Sequence, residues 1–294
     1  MRTVRTVAEL RAELATSRRA GLTIGLVPTM GAFHEGHLSL MRRARTQCEV
    51  VVVSLFVNPA QFNDTADLER YPRDERHDAQ LAADVGVDYL FAPSPAEVYP
   101  PGFATTVSVR GLTETLEGRH RGSRHFDGVT TVVTKLLNMV GPDVAYFGRK
   151  DAQQALVIGR LVRDLDMPVR IEVCPTVRDR DGLALSSRNA ALRDADREAA
   201  LSLSRALHAV QEAVAAGERD PDAARRRGWE ELQTAEVEPD YLELVSADSL
   251  APVQRIDGDV LAVVAGRVGA TRLIDNTLIH VLPAAAASTG NGRP

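Results

Sequence analysis

The chain of 294 residues is poor in aromatic side chains, at 4%, and has only two cysteines and two lysines. Few aromatics argue against stacking platforms for single-stranded nucleic acid. A formal net charge of -5 offers no basic stripe for a duplex. No nucleic-acid partner is expected. No apolar run approaches the ~20 residues that span a bilayer, and the start, Met1-Arg2-Thr3-Val4-Arg5, lacks the apolar core of a secretory signal. No membrane partner is expected either. Cys48 and Cys174 lie far apart with no CxxC, so the expectation is a reduced, cytoplasmic protein. The chain also lacks GxSxG, a P-loop Lys-Ser/Thr and GxGxxG, which leaves hydrolase, P-loop and dinucleotide readings without support.

What is present is ordinary globular composition, 44% apolar and 26% charged, at a length that suggests two domains. Arginine supplies nearly all the basic charge, and the lysines are Lys135 and Lys150. Coding bias toward arginine explains the excess. Against that bias, a retained lysine marks a place where a compact point charge suits better than a planar fork. Lys150 is therefore a candidate before any motif is consulted.

Short β-branched runs at 22–29, 50–57, 87–92, 144–148 and 169–176 alternate with helix-period segments at 36–48, 74–84, 128–140 and 151–165. The run 50–57 is apolar almost throughout, as a strand buried on both faces should be. This rhythm predicts an α/β fold, a Rossmann-like parallel sheet with helices on both faces. The proline-rich stretch 92–110 reads as an irregular crossing with a short strand at 105–109. Beyond about residue 177 the texture changes to an acidic turn, helices at 194–217 and 222–233, and strands at 241–245 and 260–268. We therefore expect a first domain at 1–177, a smaller C-terminal α+β lid domain at 178–282, and a disordered tail at 283–294.

Four segments carry the candidate chemistry, and three of them, at 28–37, 58–62 and 147–151, lie at expected strand ends. The first is Pro28-Thr29-Met30-Gly31-Ala32-Phe33-His34-Glu35-Gly36-His37. A strand, a glycine turn and a helix place backbone N–H groups and the helix dipole toward an anion. His34 and His37, three residues apart, can face one point. A lone HxxH is more often a surface or capping pair, and a metal reading lacks a nearby third ligand. The second is Phe147-Gly148-Arg149-Lys150-Asp151, where Gly148 allows close backbone approach and Lys150 offers a charge. Asp151 reads first as a helix cap. Gln153 and Gln154 follow in the next turn. The third, Leu185-Ser186-Ser187-Arg188, has hydroxyls and a guanidinium suited to a triphosphate, although Ser-Ser-Arg alone is common. Gln61, in Asn58-Pro59-Ala60-Gln61-Phe62, faces the same sheet edge and suits a carboxylate or hydroxyl. His125, in the basic stretch 121–128, fits a phosphate loop or a solvated turn equally well.

These residues resemble the pantoate–β-alanine ligase family. The resemblance runs through VPTMGAFHEGHLSL (27–40), VSLFVNPAQF (53–62), YPRD (71–74), HFDGVTTVVTKLLN (125–138), FGRKDAQQ (147–154), PTVRDRDGLALSSRN (175–189) and TRLIDN (271–276). It is similar more widely to nucleotidyl transferases and class I aminoacyl-tRNA synthetases, whose HIGH-like sequence corresponds to His34-Glu35-Gly36-His37. The resemblance implies ATP-dependent ligation of pantoate and β-alanine through a pantoyl adenylate, with Mg2+ accompanying ATP, in a homodimer. It assigns Met30, Gly31, Ala32, Phe33, His34, Glu35, Gly36 and His37 to ATP, with His37 as proton donor and His34 beside it. Gly148, Arg149, Lys150 and Asp151 would line the nucleotide, with Lys150 stabilising the transferred phosphorus. Val177 would meet adenine, and Leu185, Ser186, Ser187 and Arg188 would close over the triphosphate as the smaller domain moves. Gln61 and Gln154 would bind pantoate. No acidic cluster identifies a metal ligand, so the metal's protein ligands stay unassigned. Two departures stand out. The segment Arg121-Gly122-Ser123-Arg124-His125 lacks the proline common there and is one residue longer, which suggests a mobile loop, and Arg149 stands where Glu or Gln is common. A plain adenylyltransferase and a nucleotide-binding sensor without catalysis are the competing readings.

Overall fold

The computed structural model describes residues 1–281; the expected tail at 283–294 lies outside the described residues. The chain divides into two units, Met1–Ala191 and a second that begins at Leu192.

The first unit is built on six parallel strands, β1 (Arg2–Val4), β2 (Ile24–Thr29), β3 (Val50–Leu55), β4 (Tyr89–Phe91), β5 (Val144–Gly148) and β6 (Arg170–Cys174), in the order β1-β4-β3-β2-β5-β6. Between them run α1 (Val7–Arg19), α2 (Glu35–Gln47), α3 (Thr65–Arg70), α4 (Glu75–Asp84), α5 (Pro95–Val98), α6 (Glu117–Arg121), α7 (Ser123–Val140) and α8 (Ala152–Asp164). The strand β3, apolar at every position but Ser54 and buried on both faces, shows why the sheet needs two layers of helix. Val50 and Val52 join a core with Leu10 and Leu14 of α1, Val133 and Leu137 of α7 and Ile158 of α8. Val51 and Val53 point the other way, into a core with Leu38, Met41 and Ala44 of α2 and Ala82 of α4. Successive side chains on a strand alternate faces, so a strand with apolar residues on both faces must be covered twice. Each fully buried leucine or valine contributes about 1.5–3 kcal/mol relative to exposure.

Chain order reverses at β2. From that strand the sheet grows through β3 to β4 on one side and through β5 to β6 on the other. Two loops therefore leave the carboxyl ends of β2 and β5 side by side, which is where open α/β sheets bind ligands.

Three expectations require correction. The segment expected as a strand at 105–109 is not one. Val107 gives its N–H to Thr131 Oγ1 (3.0 Å), and its carbonyl accepts from Thr130 Oγ1. Side chains of α7 thus occupy the backbone groups that a ladder would need. The long helix expected from 128 begins at Ser123, directly after α6, so the stretch read as a mobile loop is mostly helical. Finally, the first unit extends past 177 to Ala191. The acidic turn closes a hairpin that belongs to the first unit. Leu185 N bonds Val177 O at 3.0 Å, Asp179 N bonds Leu183 O at 2.8 Å, and Asp181 Oδ1 accepts from Leu183 N at 3.2 Å. Gly182, with φ of 98°, makes the left-handed turn. Ser186, Ser187 and Arg188 accordingly belong to the first unit.

The second unit packs α9 (Asp194–Ala215) and α10 (Pro221–Gln233) with an antiparallel sheet, β7 (Glu238–Ser246), β8 (Val260–Val268) and β9 (Thr271–Ile279). At Gly228 a Cβ would lie 2.8 Å from Ala206 O and 2.6 Å from Leu242 Cδ2, so glycine lets α10 approach both α9 and β7. The α+β character expected from the sequence holds.

Candidate active site

The loop after β2 makes a sharp turn into α2. Gly31 has φ of 88° and Ala32 has φ of 53°, a conformation that costs a non-glycine residue about 1 kcal/mol and needs support. Asp78 of α4 provides it. Its buried carboxylate accepts from Ala32 N (2.9 Å) and Phe33 N (2.7 Å). Thr29 Oγ1 accepts from Gly31 N at 3.3 Å and donates to Ser54 O at 2.6 Å. The two imidazoles complete the turn. His34 Nδ1 accepts from Gly36 N (3.2 Å), and His37 Nδ1 accepts from His34 N (3.4 Å), a reciprocal cap. The anion cradle expected from backbone N–H groups is therefore engaged by the protein's own side chains at residues 31–34 and 36.

Those bonds determine which imidazole nitrogen carries the proton. With Nδ1 accepting in both rings, the neutral forms carry hydrogen on Nε2. The rings stand 4.2 Å apart between centroids, tilted by 50°. Burial, and then Lys150, lower the pKa of His34; burial, His34 and Lys150 lower that of His37 to about 3. Both rings are thus neutral at pH 7, each with one Nε2–H donor.

The loop after β5 brings Lys150, mostly shielded from solvent, to 3.8 Å from Asp151 Oδ1. Asp151 is the N-cap residue of α8, as its position suggested, but its side chain makes no cap bond. Its charge reaches His34, His37, Tyr71 and His125, which marks the convergence of distant motifs. At Gly148 φ is -82° and a Cβ would meet nothing within 4 Å. Neither backbone conformation nor packing demands glycine there, and open space lies beside it.

The hairpin carrying Val177 and Leu185 reaches the start of α2, where a Cβ on Gly36 would be 3.9 Å from Leu185 Cβ. Ser186 Oγ accepts from Arg188 N at 3.2 Å. Tyr71 is hydrogen-bonded to Ser187, and burial raises its pKa. Gln61 sits at the first motif, with Nε2 2.9 Å from Met30 Sδ and Oε1 accepting from Asn58 Nδ2 at 3.0 Å. Asn58 is buried, donates also to Gly128 O (3.0 Å), and accepts from Ala60 N (3.2 Å) and Tyr99 OH (2.8 Å). Gln154 is half-buried in the first turn of α8. Its neighbour Gln153 is structural, holding Glu117 N, Leu112 O and Thr115 O at 3.0, 2.6 and 2.8 Å.

His125 resolves toward the interior. Its Nδ1 meets Gln61 O at 2.8 Å, and burial and Arg121 lower its pKa to about 4. Arg121 itself pairs with the buried Glu117 at 2.8 Å. Sequence reasoning missed Asp78, Asn58 and Tyr71 as parts of the site. Asn58 and Tyr71 lay inside quoted motifs, whereas nothing in the sequence set Asp78 apart from other helix carboxylates.

A parallel sheet reversed at β2 and β5, with two neutral imidazole donors and a lysine at its carboxyl edge, defines a nucleotide-binding α/β protein whose site is directed at phosphate. Within that class the chain belongs to the pantoate–β-alanine ligase family, whose model matches residues 2–278. It is 54% identical over 282 residues to the pantothenate synthetase of Moorella thermoacetica, covering 96% of this chain and 99% of the relative. Its structure is similar to the crystal structure of pantothenate synthetase from Thermus thermophilus, with TM-score 0.90, 48% identity and coverage of 96% and 100%. It is also similar to the pantoate–β-alanine ligase of Francisella tularensis complexed with beta-gamma ATP and β-alanine. There the TM-score is 0.78, the identity 34%, and the coverage 95% and 97%.

Proposed function

We propose that this protein condenses (R)-pantoate with β-alanine at the expense of ATP, giving pantothenate, AMP and pyrophosphate through a pantoyl adenylate. The observation that carries the reading is the convergence of His34, His37 and Lys150 at the β2/β5 edge, in a chain of this family.

A carboxylate oxygen of pantoate attacks the α-phosphorus of ATP, and the bond to the bridging oxygen of the β-phosphate breaks, releasing pyrophosphate. The amine of β-alanine then attacks the acyl carbon, and AMP leaves. In the first step charge grows on the non-bridging α-oxygens and on pyrophosphate. The Nε2–H groups of His34 and His37 donate to phosphate oxygens, and the Lys150 ammonium adds a full charge at the transferred phosphorus. A neutral imidazole fits this role as a donor of hydrogen bonds rather than as an acid. In the same reading Met30 to Phe33, Glu35, Gly36, Gly148, Arg149 and Asp151 line the nucleotide. Val177 meets adenine, and Leu185 to Arg188 hold the triphosphate. Gln61, beside Met30, and Gln154 bind pantoate. All of these residues lie in the first unit, which thus supplies the nucleotide and pantoate contacts.

Among the described residues no group of three or more His, Cys, Asp or Glu gathers in metal-binding array. That donor chemistry suits Mg2+ arriving as the Mg-ATP substrate, with phosphates as its main ligands. The assembly in this reading is a cytoplasmic homodimer, which sedimentation of the purified protein tests.

The decisive assay is pantoate-dependent exchange of labelled pyrophosphate into ATP without β-alanine. Exchange that requires pantoate supports carboxylate adenylation as a separable step. No exchange, with no AMP formed when β-alanine is added, overturns the proposal.

A further inference from the structure

The turn that opens α2 already holds an anion, and that anion is Asp78. Consecutive amides oriented into one concavity form the kind of nest that elsewhere binds phosphate. Here Ala32 N and Phe33 N each take one oxygen of the Asp78 carboxylate, at 2.9 and 2.7 Å. The fit is close, because a Cβ on Gly31 would lie 2.9 Å from Asp78 Oδ2. Asp78 is 2% exposed. Within its own helix α4, Asp74 caps the start by accepting from His77 N at 3.0 Å, so Asp78 is not needed for that task. A buried carboxylate is costly unless its hydrogen bonds are made, and these two bonds fix the loop to α4.

What they fix is the entry to the imidazole pair. Phe33 precedes His34, the first capping residue of α2, and His34 N in turn meets His37 Nδ1. Resting on the ligase reading above, we propose that Asp78 is the positioning residue of adenylate formation. It occupies the Ala32–Phe33 nest in place of substrate phosphate and holds the turn so that His34 and His37 present their Nε2–H groups to the nucleotide. Phosphate is thereby bound by side chains and not by these two amides.

Asp78→Asn tests this, because the amide keeps the shape but sets an NH2 donor against an amide donor. In the pantoate-dependent exchange assay kcat should fall at least ~30-fold while the KM for ATP stays within ~3-fold, the split expected when a group acts mainly on the transition state. Nitrogen-15 spectra of the imidazoles should show His34 and His37 as Nε2–H tautomers in wild type and as mixed tautomers in the variant. Asp84→Asn, on the same helix, should change neither readout. A folded Asp78→Asn enzyme with kcat within ~3-fold of wild type overturns the proposal. So does a loss of kcat with both imidazole spectra unchanged. Should the variant not fold, wild-type protein bound to Mg-ATP gives the answer. Coupling across hydrogen bonds from the Ala32 and Phe33 amides to the Asp78 carboxyl supports the proposal, and coupling to phosphorus overturns it. Wild type with no pantoate-dependent exchange, and with no AMP formed when β-alanine is added, would instead overturn the ligase reading, which the amide couplings do not address.

Discussion

Lys150 shows how a single residue carries an argument from composition to chemistry. Retained in a chain that otherwise uses arginine, it lies mostly shielded at the end of β5, 3.8 Å from Asp151, and its charge depresses the pKa of both neighbouring imidazoles. A point charge directed at a transferring phosphoryl group acts mainly where charge develops. Lys150→Ala should therefore lower turnover at least ~10²-fold while weakening ATP binding less. Calorimetry set beside initial rates checks this, and equal losses in both would contradict it. The same geometry assigns His37 a donor's role. His37→Ala should impair single-turnover formation of the adenylate, whereas His37→Gln, which keeps an N–H donor, should retain part of it. If glutamine and alanine are equally inactive, the imidazole does more than donate.

At the scale of elements, the strand and helix alternation was legible because the runs at 50–57 and 144–148 are short, apolar and punctuated. Both fell close to β3 and β5. What escaped were elements whose identity is settled by neighbours. The helix α1 is held by Thr6, whose Oγ1 accepts from Glu9 N at 3.2 Å, and by two buried leucines, yet its polar composition hid it. The segment 105–109 has strand-like composition, but Thr130 and Thr131 take its backbone groups. The site was legible wherever a motif coincided with a strand end, as at His34, His37 and Lys150. It was illegible at Asp78, whose role depends on the tertiary approach of α4 to the turn. The approach of α7 to the turn at 59–61 is equally invisible in sequence and is tested directly. A Cβ on Gly128 would lie 2.4 Å from Ala60 O and 2.7 Å from Gln61 N, both backbone atoms that cannot rotate away. Gly128→Ala should cost about 1–3 kcal/mol of stability by overpacking. It should also raise the KM for pantoate at least ~10-fold by moving Gln61, since misplacing a positioning group weakens substrate binding. Unchanged kinetics for pantoate in a folded Gly128→Ala protein would remove Gln61 from that role.

Across the whole molecule, the buried imidazoles couple the site to global stability. His37 and His125 have folded pKa values lowered to about 3 and about 4 from the ordinary 6.5, with burial as the main cause in each. His34 is lowered as well, by burial and Lys150. As pH falls below about 6.5 the unfolded chain takes up protons that the native state refuses, so stability is full above that value and declines toward the folded pKa values. Each such proton contributes a slope of up to about 1.4 kcal/mol per pH unit. Between about pH 6.5 and 5 these histidines dominate the slope, since paired carboxylates such as Glu75 and Glu172, whose pKa values are lowered by Arg5 and Arg43, titrate from lower unfolded values. The urea midpoint should therefore fall steadily from pH 7 to pH 5, and His125→Gln should flatten the decline by about one proton's share. Saturating Mg-ATP should flatten it further, because phosphate charge beside His34 and His37 favours their protonated forms and brings the native pKa values back toward 6.5. A midpoint independent of pH over this range would mean that the imidazoles titrate in the native state as freely as in the unfolded chain. The buried, neutral donor pair at the end of β2 would then have to be abandoned.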